Sequence, residues 1–265
     1  ELLTALPALR DSCLWVSLSG AAGTSAALGP KAQETRAALA KSLNLRDPQR
    51  GWHSDRGPIL RLADWQTRLA LALGKMAEDL MILTQTGIGE VSLGAAGASS
   101  TMPQKQNPVL PSAMAATARQ VAGLNATLQG AALHRLDRDG AAWFTEWLTV
   151  PQLCLATTAT LIHARSLSQS LQPNPAQMLA AMTDGQNLIH AEALSFVLAQ
   201  NLPRPAAQAA IKALCKEAGA TGADLATLAM QAYPDLDLAP VFDPAAQMGH
   251  APDEARRFAE AARAL

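Results

Sequence analysis

The sequence predicts an all-α protein built around a bundle of long helices, and three observations support this prediction. Alanine and leucine are abundant, whereas aromatic residues make up only 4% of the 265 residues, and this composition favours closely packed helices over sheets. Between Pro58 and Thr86 the apolar residues recur at steps of three and four, as they do on one face of a helix. After Gln172 the helical segments become shorter, which predicts a second, smaller helical domain.

Three long helices are predicted in the first domain, which we place at residues 1–173. The helix from Pro58 to Thr86 would span roughly 40 Å at about 1.5 Å per residue. A second helix is expected over 109–133 and a third over 142–171, with a kink at Pro151 because proline removes a backbone donor. Helices of this length are expected to lie side by side.

The C-terminal domain is predicted at residues 174–265. Prolines at its start and glycines and prolines within it mark turns between short helices. The helices are expected at 175–183, 186–201, 204–218 and 221–232.

The first residues, Glu1 to Leu6, lack an initiator methionine and have the composition of a helix interior. We therefore expect a chain that is incomplete at its N-terminus.

Composition and charge exclude several classes of partner. The formal net charge is -1 and no run of lysine or arginine occurs, which argues against nucleic acid or a membrane surface. The expected ligand is therefore small. The three cysteines, Cys13, Cys154 and Cys215, have no metal-ligand spacing and are expected to be free thiols in a reducing cytoplasm. No apolar run reaches the length needed to span a membrane, and no signal peptide is visible.

The loop at residues 94–108 contains the most informative polar pattern in the chain. Ser99 and Ser100 precede a cation, Lys105, and an amide, Asn107, within the run Ser-Ser-Thr-Met-Pro-Gln-Lys-Gln-Asn-Pro. Glycines ahead of this run let the backbone bend and move, so the loop can close over a carboxylate. The alternative is a polar surface loop without a function.

These ten residues resemble the Ser-Ser-x-Met-Pro-x-Lys-x-Asn-Pro segment of the fumarase/aspartase superfamily, and every fixed position of that segment is present. One neighbour departs, since Ala98 stands where the family usually has glycine. The resemblance implies an all-α enzyme that moves a proton next to a carboxylate without a cofactor or a metal. By position, Ser99 would transfer the proton, with Ser100 as its competitor for that role. Lys105 and Asn107 would hold the carboxylate, one by charge and one by hydrogen bonding.

The resemblance also indicates substrate-binding residues. Met102 lies within the loop motif. Thr24 ends a Gly-Ala-Ala-Gly-Thr stretch that resembles a segment of adenylosuccinate lyase relatives, with a helix-packing notch as the alternative. His53 lies in a Trp-His-Ser-Asp-Arg stretch that resembles the Trp-His-Thr-Gln-Arg-Asp of the lactonizing branch. Arg138 can bind a carboxylate bidentately, or form an ion pair with a neighbouring aspartate on a helix surface.

The branch of the superfamily is inferred from positions at which this chain differs from the adenylosuccinate lyase pattern. Adenylosuccinate lyases usually have a glutamate four residues after the last proline of the loop and a histidine before its lysine, whereas this chain has Ser112 and Gln104. The run from Gly140 to Trp147, with a Glu-Trp pair, resembles the lactonizing cycloisomerases of aromatic-compound breakdown instead. Trp143 and Trp147, four apart on one helix face, are expected in the core, with stacking on a ligand as the alternative. His53 and His134 are candidate site residues, although a structural role is the alternative for each.

The resemblance implies a small polycarboxylate substrate and a homotetramer whose sites are shared between subunits. Two alternatives remain open. One is a C–N lyase of the adenylosuccinate or argininosuccinate kind. The other is a non-catalytic structural protein like the crystallins of this superfamily, although the intact loop motif argues against it.

Overall fold

The computed structural model describes residues 1–94, 107–183 and 185–264. Within these ranges the secondary structure is helical apart from two strands of two residues each, β1 and β2, which pair in a small sheet. The predicted all-α class is therefore confirmed. The helices and strands, in chain order, are α1 Leu6–Cys13, α2 Ala32–Leu43, α3 Gly57–Leu83, β1 Val91–Ser92, α4 Val109–Gly130, α5 Gly140–Ser170, β2 Gln172–Pro173, α6 Pro175–Thr183, α7 Ala191–Leu198, α8 Arg204–Thr221, α9 Leu225–Ala232 and α10 Ala251–Arg263.

The three predicted long helices are confirmed as α3, α4 and α5, with small shifts at their ends. Helix α5 begins two residues earlier than predicted because Asp139 caps its first turn, and it continues through Pro151. The expectation that the first residues lie inside a helix is wrong. Residues 1–5 form turns, and α1 begins at Leu6 with Pro7 in its first turn, where proline is well tolerated.

The described residues divide into two compact units, Glu1–Gln172 and Pro173–Leu265. In the first, α3, α4 and α5 pack against one another around a core of mostly small side chains. Small side chains let the helix axes approach closely, so the helix backbones pack near one another with few bulky side chains between them. The buried members are Ala63, Ala70, Ala118, Val121, Leu128, Ala131, Leu153 and Ala156.

The second unit has its own apolar core, formed mainly by α7, α8 and α9. The single helix predicted over 186–201 is divided, because a 3₁₀ turn at Leu188–His190 precedes α7. Helix α9 begins later than predicted, since Asp224 accepts a hydrogen bond from the backbone N–H of Thr227 and so caps it. Helix α10 was not predicted.

No helix among residues 1–94, 107–183 and 185–264 is both long enough and apolar enough to cross a membrane.

Helices α3 and α4 approach closely at Gly74. A Cβ atom placed on Gly74 would lie 2.7 Å from the Cβ atom of Ala118, which is nearer than real Cβ atoms come. We predict that Gly74→Ala destabilises the protein by about 1–3 kcal/mol, because the overlap outweighs the gain of ~1 kcal/mol in helix propensity.

The matched control for this substitution is Gly123→Ala in the middle of α4, where nothing lies within 4 Å of the added Cβ. It should stabilise the protein by roughly 0.5–1 kcal/mol. Urea unfolding of both variants measures the two changes. Equal changes in the two variants would contradict the close approach of α3 and α4.

Candidate functional site

The loop that contains Thr24 is held beside the start of α3 by backbone proximity. Gly20 and Gly23 have φ angles of 72° and 75°, a conformation that residues with a Cβ rarely adopt. Gly51 lies against this loop so closely that a Cβ on it would be 3.1 Å from the carbonyl oxygen of Gly23 and 3.2 Å from the hydroxyl of Ser19. The glycines therefore let two chain segments meet closely at this point.

His53 lies at this meeting point and is half-buried. Its Nε2 is 3.3 Å from the Oγ atom of buried Ser19, at hydrogen-bond distance. Its Nδ1 is enclosed and has no partner among the described residues. The His53 ring also packs nearly perpendicular to the Trp143 ring, with centroids 6.5 Å apart. The imidazole is thus oriented from two sides.

Arg138 lies near the same loop rather than on a helix surface. Its Nη1 donates to the carbonyl oxygen of Ala21 at 2.8 Å, and its guanidinium lies 4.7 Å from the centroid of the Trp143 ring. The ion pair on Asp139 is made by Arg135 instead. Of the two alternatives for Arg138, the contact with the loop of Thr24 is therefore the observed one, and the side chain stays exposed.

A cavity of about 200 Å³ opens between these segments, and Thr24 and His53 both line it. Its wall also contains Arg50 and Asp55, whose side chains are joined by a hydrogen bond of 2.5 Å. That bond is the main cause of a lowered pKa for Asp55, which burial partly opposes. Asp137 lines the cavity as well, so charged groups of both signs lie in its wall.

Asn107 lies at the opposite end of the bundle. It precedes α4, and its carbonyl oxygen accepts from the N–H of Val109 at 2.8 Å. Helix α3 begins beside His53 and ends before the loop, and its 27 residues span about 40 Å at about 1.5 Å per residue. Gly94, where the loop begins, lies beside Ser170 at the end of α5, which confirms that this is the far end.

The structure thus brings Thr24, His53 and Arg138 together and separates them from Asn107. The other four predicted site residues, Ser99, Ser100, Met102 and Lys105, lie outside the described residues.

Sequence reasoning missed some side chains around the cavity. Arg56 and Glu146 form a buried bidentate ion pair behind His53, and Ser19 and Arg50 were not singled out. Arg56 and Glu146 both lie in the segments that resemble the lactonizing branch, but no sequence pattern indicates a pairing across 90 positions. The prediction that Trp147 lies in the core is wrong, since it is 58% exposed. Within the described ranges no cluster of histidine, cysteine, aspartate or glutamate could hold a metal ion.

The fold and the loop sequence define the class of protein. Residues 4–123 match the family model described as "Lyase". A bundle of three long helices with the Ser-Ser-x-Met-Pro-x-Lys-x-Asn-Pro run between two of them is the arrangement of the fumarase/aspartase superfamily, and the chain belongs to it.

Within this class the chain is similar to lactonizing enzymes. It is 36% identical to the 3-carboxy-cis,cis-muconate cycloisomerase of Pseudomonas putida over 80% of its own length and 51% of the relative. The crystal structure of the lactonizing enzyme from Pseudomonas putida superposes with a TM-score of 0.88 at 34% identity, covering 97% of this chain and 59% of that one. A nitrosuccinate lyase of Streptomyces davaonensis is 34% identical over 91% of this chain and 54% of the relative. The chain therefore spans about half the length of the curated relatives it matches.

Asp139, at the start of α5, allows a test of the local electrostatics. Its carboxylate accepts from the backbone N–H groups of Ala141 and Ala142 and from both the backbone and the side chain of Arg135. The hydrogen bonds from Arg135 are the main cause of a pKa well below the usual value for Asp139. A carboxyl group whose pKa is lower in the folded than in the unfolded state adds stability above the unfolded pKa, and this stability is lost as the pH falls.

We predict that Asp139→Asn lowers the free energy of unfolding at pH 7 and that the difference from wild type shrinks below about pH 4, the unfolded pKa of aspartate. Asparagine caps helices as well as aspartate, so the substitution keeps the cap and removes the charge together with the oxygen that accepts from Arg135. Urea unfolding at several pH values and low salt measures the effect. Arg135→Gln should likewise reduce the loss of unfolding free energy that wild type shows as the pH falls. The double variant should be little less stable than either single variant. An unchanged pH dependence would contradict the assignment.

Proposed function

We propose that this chain is part of a 3-carboxy-cis,cis-muconate cycloisomerase, which forms 4-carboxymuconolactone in the protocatechuate branch of the beta-ketoadipate pathway. The observation that carries the proposal is the complete loop motif at residues 99–108, in a chain 36% identical to an enzyme of that name. The superposition on the lactonizing enzyme from Pseudomonas putida supports it. The proposal places the enzyme in the cytoplasm, in keeping with three free cysteines.

The reaction needs one proton transfer and no cofactor. A carboxylate oxygen of the substrate forms a C–O bond to one alkene carbon, and the neighbouring carbon, next to another carboxylate, gains a proton. In this proposal Ser99 transfers the proton, with Ser100 as its competitor. Lys105 and Asn107 stabilise the negative charge that develops on the carboxylate during the transfer.

The cavity beside Thr24 and His53 would bind a further part of the polycarboxylate. His53 can donate or accept a hydrogen bond there, and its enclosed Nδ1 has no other partner among the described residues. Arg138 contacts the loop that contains Thr24, and its planar guanidinium suits a carboxylate. These roles are supported by the position of Thr24 and His53 in the cavity wall and of Arg138 against the adjoining loop.

The length of the bundle requires more than one copy of the chain for such a site. The cavity and Asn107 are separated by about 40 Å of α3, so one chain cannot apply both to one small substrate. We propose a homotetramer in which each site takes its loop and its cavity from different subunits.

Helix α5 presents a face suited to such an assembly. Leu148, Leu155 and Ile162 follow one another at steps of seven and are 68%, 71% and 61% exposed. A stripe with this spacing on a long helix is typical of helices that associate side by side. The stripe therefore favours contact with another copy of the bundle.

A C–N lyase is the second candidate, favoured by the similarity to the nitrosuccinate lyase. The C–N lyase reaction differs from the lactonizing reaction in the group that leaves or attacks at the carbon next to the one that exchanges the proton. Ser112 and Gln104, which depart from the adenylosuccinate lyase pattern, favour the lactonizing reaction.

The absorbance of 3-carboxy-cis,cis-muconate on adding the purified full-length gene product tests the first function. We predict that the conjugated diene signal disappears with wild type and that Ser99→Ala lowers the rate about 10²–10⁴-fold. A folded protein without turnover on this substrate would discard the lactonizing assignment. Turnover of adenylosuccinate or argininosuccinate would then support the C–N lyase, and no turnover at all would support a crystallin-like role.

Complementation tests the sharing of sites. We predict that His53→Ala and Ser99→Ala, each weakly active alone, regain activity when coexpressed, because a hybrid contains sites with one intact cavity and one intact loop. Adding Leu155→Arg to both chains should abolish the recovery by placing a charge on the apolar stripe. Mixed assemblies, confirmed by mass, that show no recovery would argue that cavity and loop serve different sites.

A further inference from the structure

The most enclosed ion pair near the cavity joins α3 to α5. Arg56, just before α3, donates from Nε and Nη2 to the two carboxylate oxygens of Glu146 in α5, at 2.8 and 2.7 Å. The two side chains are only 10% and 12% exposed. The contact is therefore bidentate and nearly removed from water.

The third nitrogen of Arg56 is directed at the backbone that carries His53. Nη1 donates to the carbonyl oxygen of His53 at 3.2 Å and to that of Trp52 at 3.4 Å. The guanidinium also lies 5.1 Å from the centroid of the Trp52 ring. One side chain, held at its far end by Glu146, thus fixes two consecutive peptide groups.

These contacts continue to the cavity. Trp52 is buried and donates through its Nε1 to the carbonyl oxygen of Val16, at 2.9 Å, ahead of the loop that contains Thr24. His53 lines the cavity with that loop, and Trp143, one turn before Glu146, contacts its ring. Helix α5 therefore constrains His53 twice, through the Trp143 ring and through Arg56.

Stability alone is a weak explanation for this pair. Removing two charges from water costs free energy that their attraction often only offsets, so buried ion pairs are poor evidence for a gain in stability. A bidentate guanidinium, however, has a strongly defined orientation. The bidentate pair therefore fixes the position of the groups that Arg56 contacts, which are the carbonyl oxygens of Trp52 and His53.

We propose that Arg56 and Glu146 are positioning residues, which hold the backbone of Trp52 and His53 so that the His53 imidazole faces the substrate cavity. The inference rests on the proposed function only in taking His53 as a substrate contact.

Glu146→Gln tests the proposal, since it removes the charge and keeps the size of the side chain. We expect a changed or broadened His53 ring signal in the NMR spectrum of the substrate-free protein. With 3-carboxy-cis,cis-muconate we expect KM to rise roughly tenfold or more and kcat to change less. The assay is run well below the melting temperature of the variant. The matched control is Glu78→Gln, which breaks an exposed ion pair with Arg119 between α3 and α4 and should leave both readouts unchanged.

The exchanged pair Arg56→Glu with Glu146→Arg separates positioning from stability. It can restore the ion pair but not the donors to the two carbonyl oxygens. We expect part of the melting temperature to return while the His53 signal and KM stay altered. If the exchanged pair is unfolded, Arg56→Lys, which keeps the charge and loses the bidentate geometry, takes its place and should alter the His53 signal in the same direction as Glu146→Gln.

A lowered melting temperature in Glu146→Gln, with an unchanged His53 signal, would overturn the proposal, as would full recovery of the signal in the exchanged pair. The NMR measurement needs no turnover. If the wild type does not act on the muconate, the proposed function fails while the His53 signal still decides the positioning role.

Discussion

Close packing of small side chains between α3, α4 and α5 is the constraint on which the rest of the first unit depends. At Gly74 and Ala118 there is no room for one additional methyl group, so two helices of more than 20 residues are held at short distance. Bulky side chains at this contact between α3 and α4 would force the helices apart. The described candidate site residues, Thr24, His53, Arg138 and Asn107, lie outside the helices, at bundle ends that are about 40 Å apart along α3.

The first turns of α5 organise the charges at one of those ends. Asp139, Trp143 and Glu146 are spaced by four and three residues and therefore share one face of the helix. Asp139 caps the helix and binds Arg135, Trp143 contacts His53 and Arg138, and Glu146 holds Arg56. Three side chains of one rigid helix thus position the surrounding loops. Residues held by a helix are positioned more precisely than residues held by loops alone.

The sequence was sufficient for the elements with strong periodicity and insufficient for contacts between distant residues. The helix predicted from Pro58 to Thr86 is observed as Gly57–Leu83, because a stripe of apolar residues at helical spacing can be buried in only one way. The start of α5 was missed by two residues because capping by Asp139 depends on local geometry rather than on periodicity. The segments that contain Thr24, His53 and Arg138 were recognised separately. Their meeting at one cavity could not be predicted, since it depends on where α3 and α5 begin in space.

The same reasoning explains the wrong prediction for Trp147. An aromatic residue four positions from Trp143 was expected in the core, yet the face of α5 that continues through Trp147 and Leu148 to Leu155 is exposed in the single chain. A helix with apolar residues on nearly all sides is normally buried on all sides. One side of α5 contacts α3 and α4, another faces the His53 loops, and the exposed stripe is the side that we propose is covered by another copy of the chain. In the proposed homotetramer, burial of that stripe and completion of a site from separated loops have one physical cause. Both need the long helices of several chains to lie against one another.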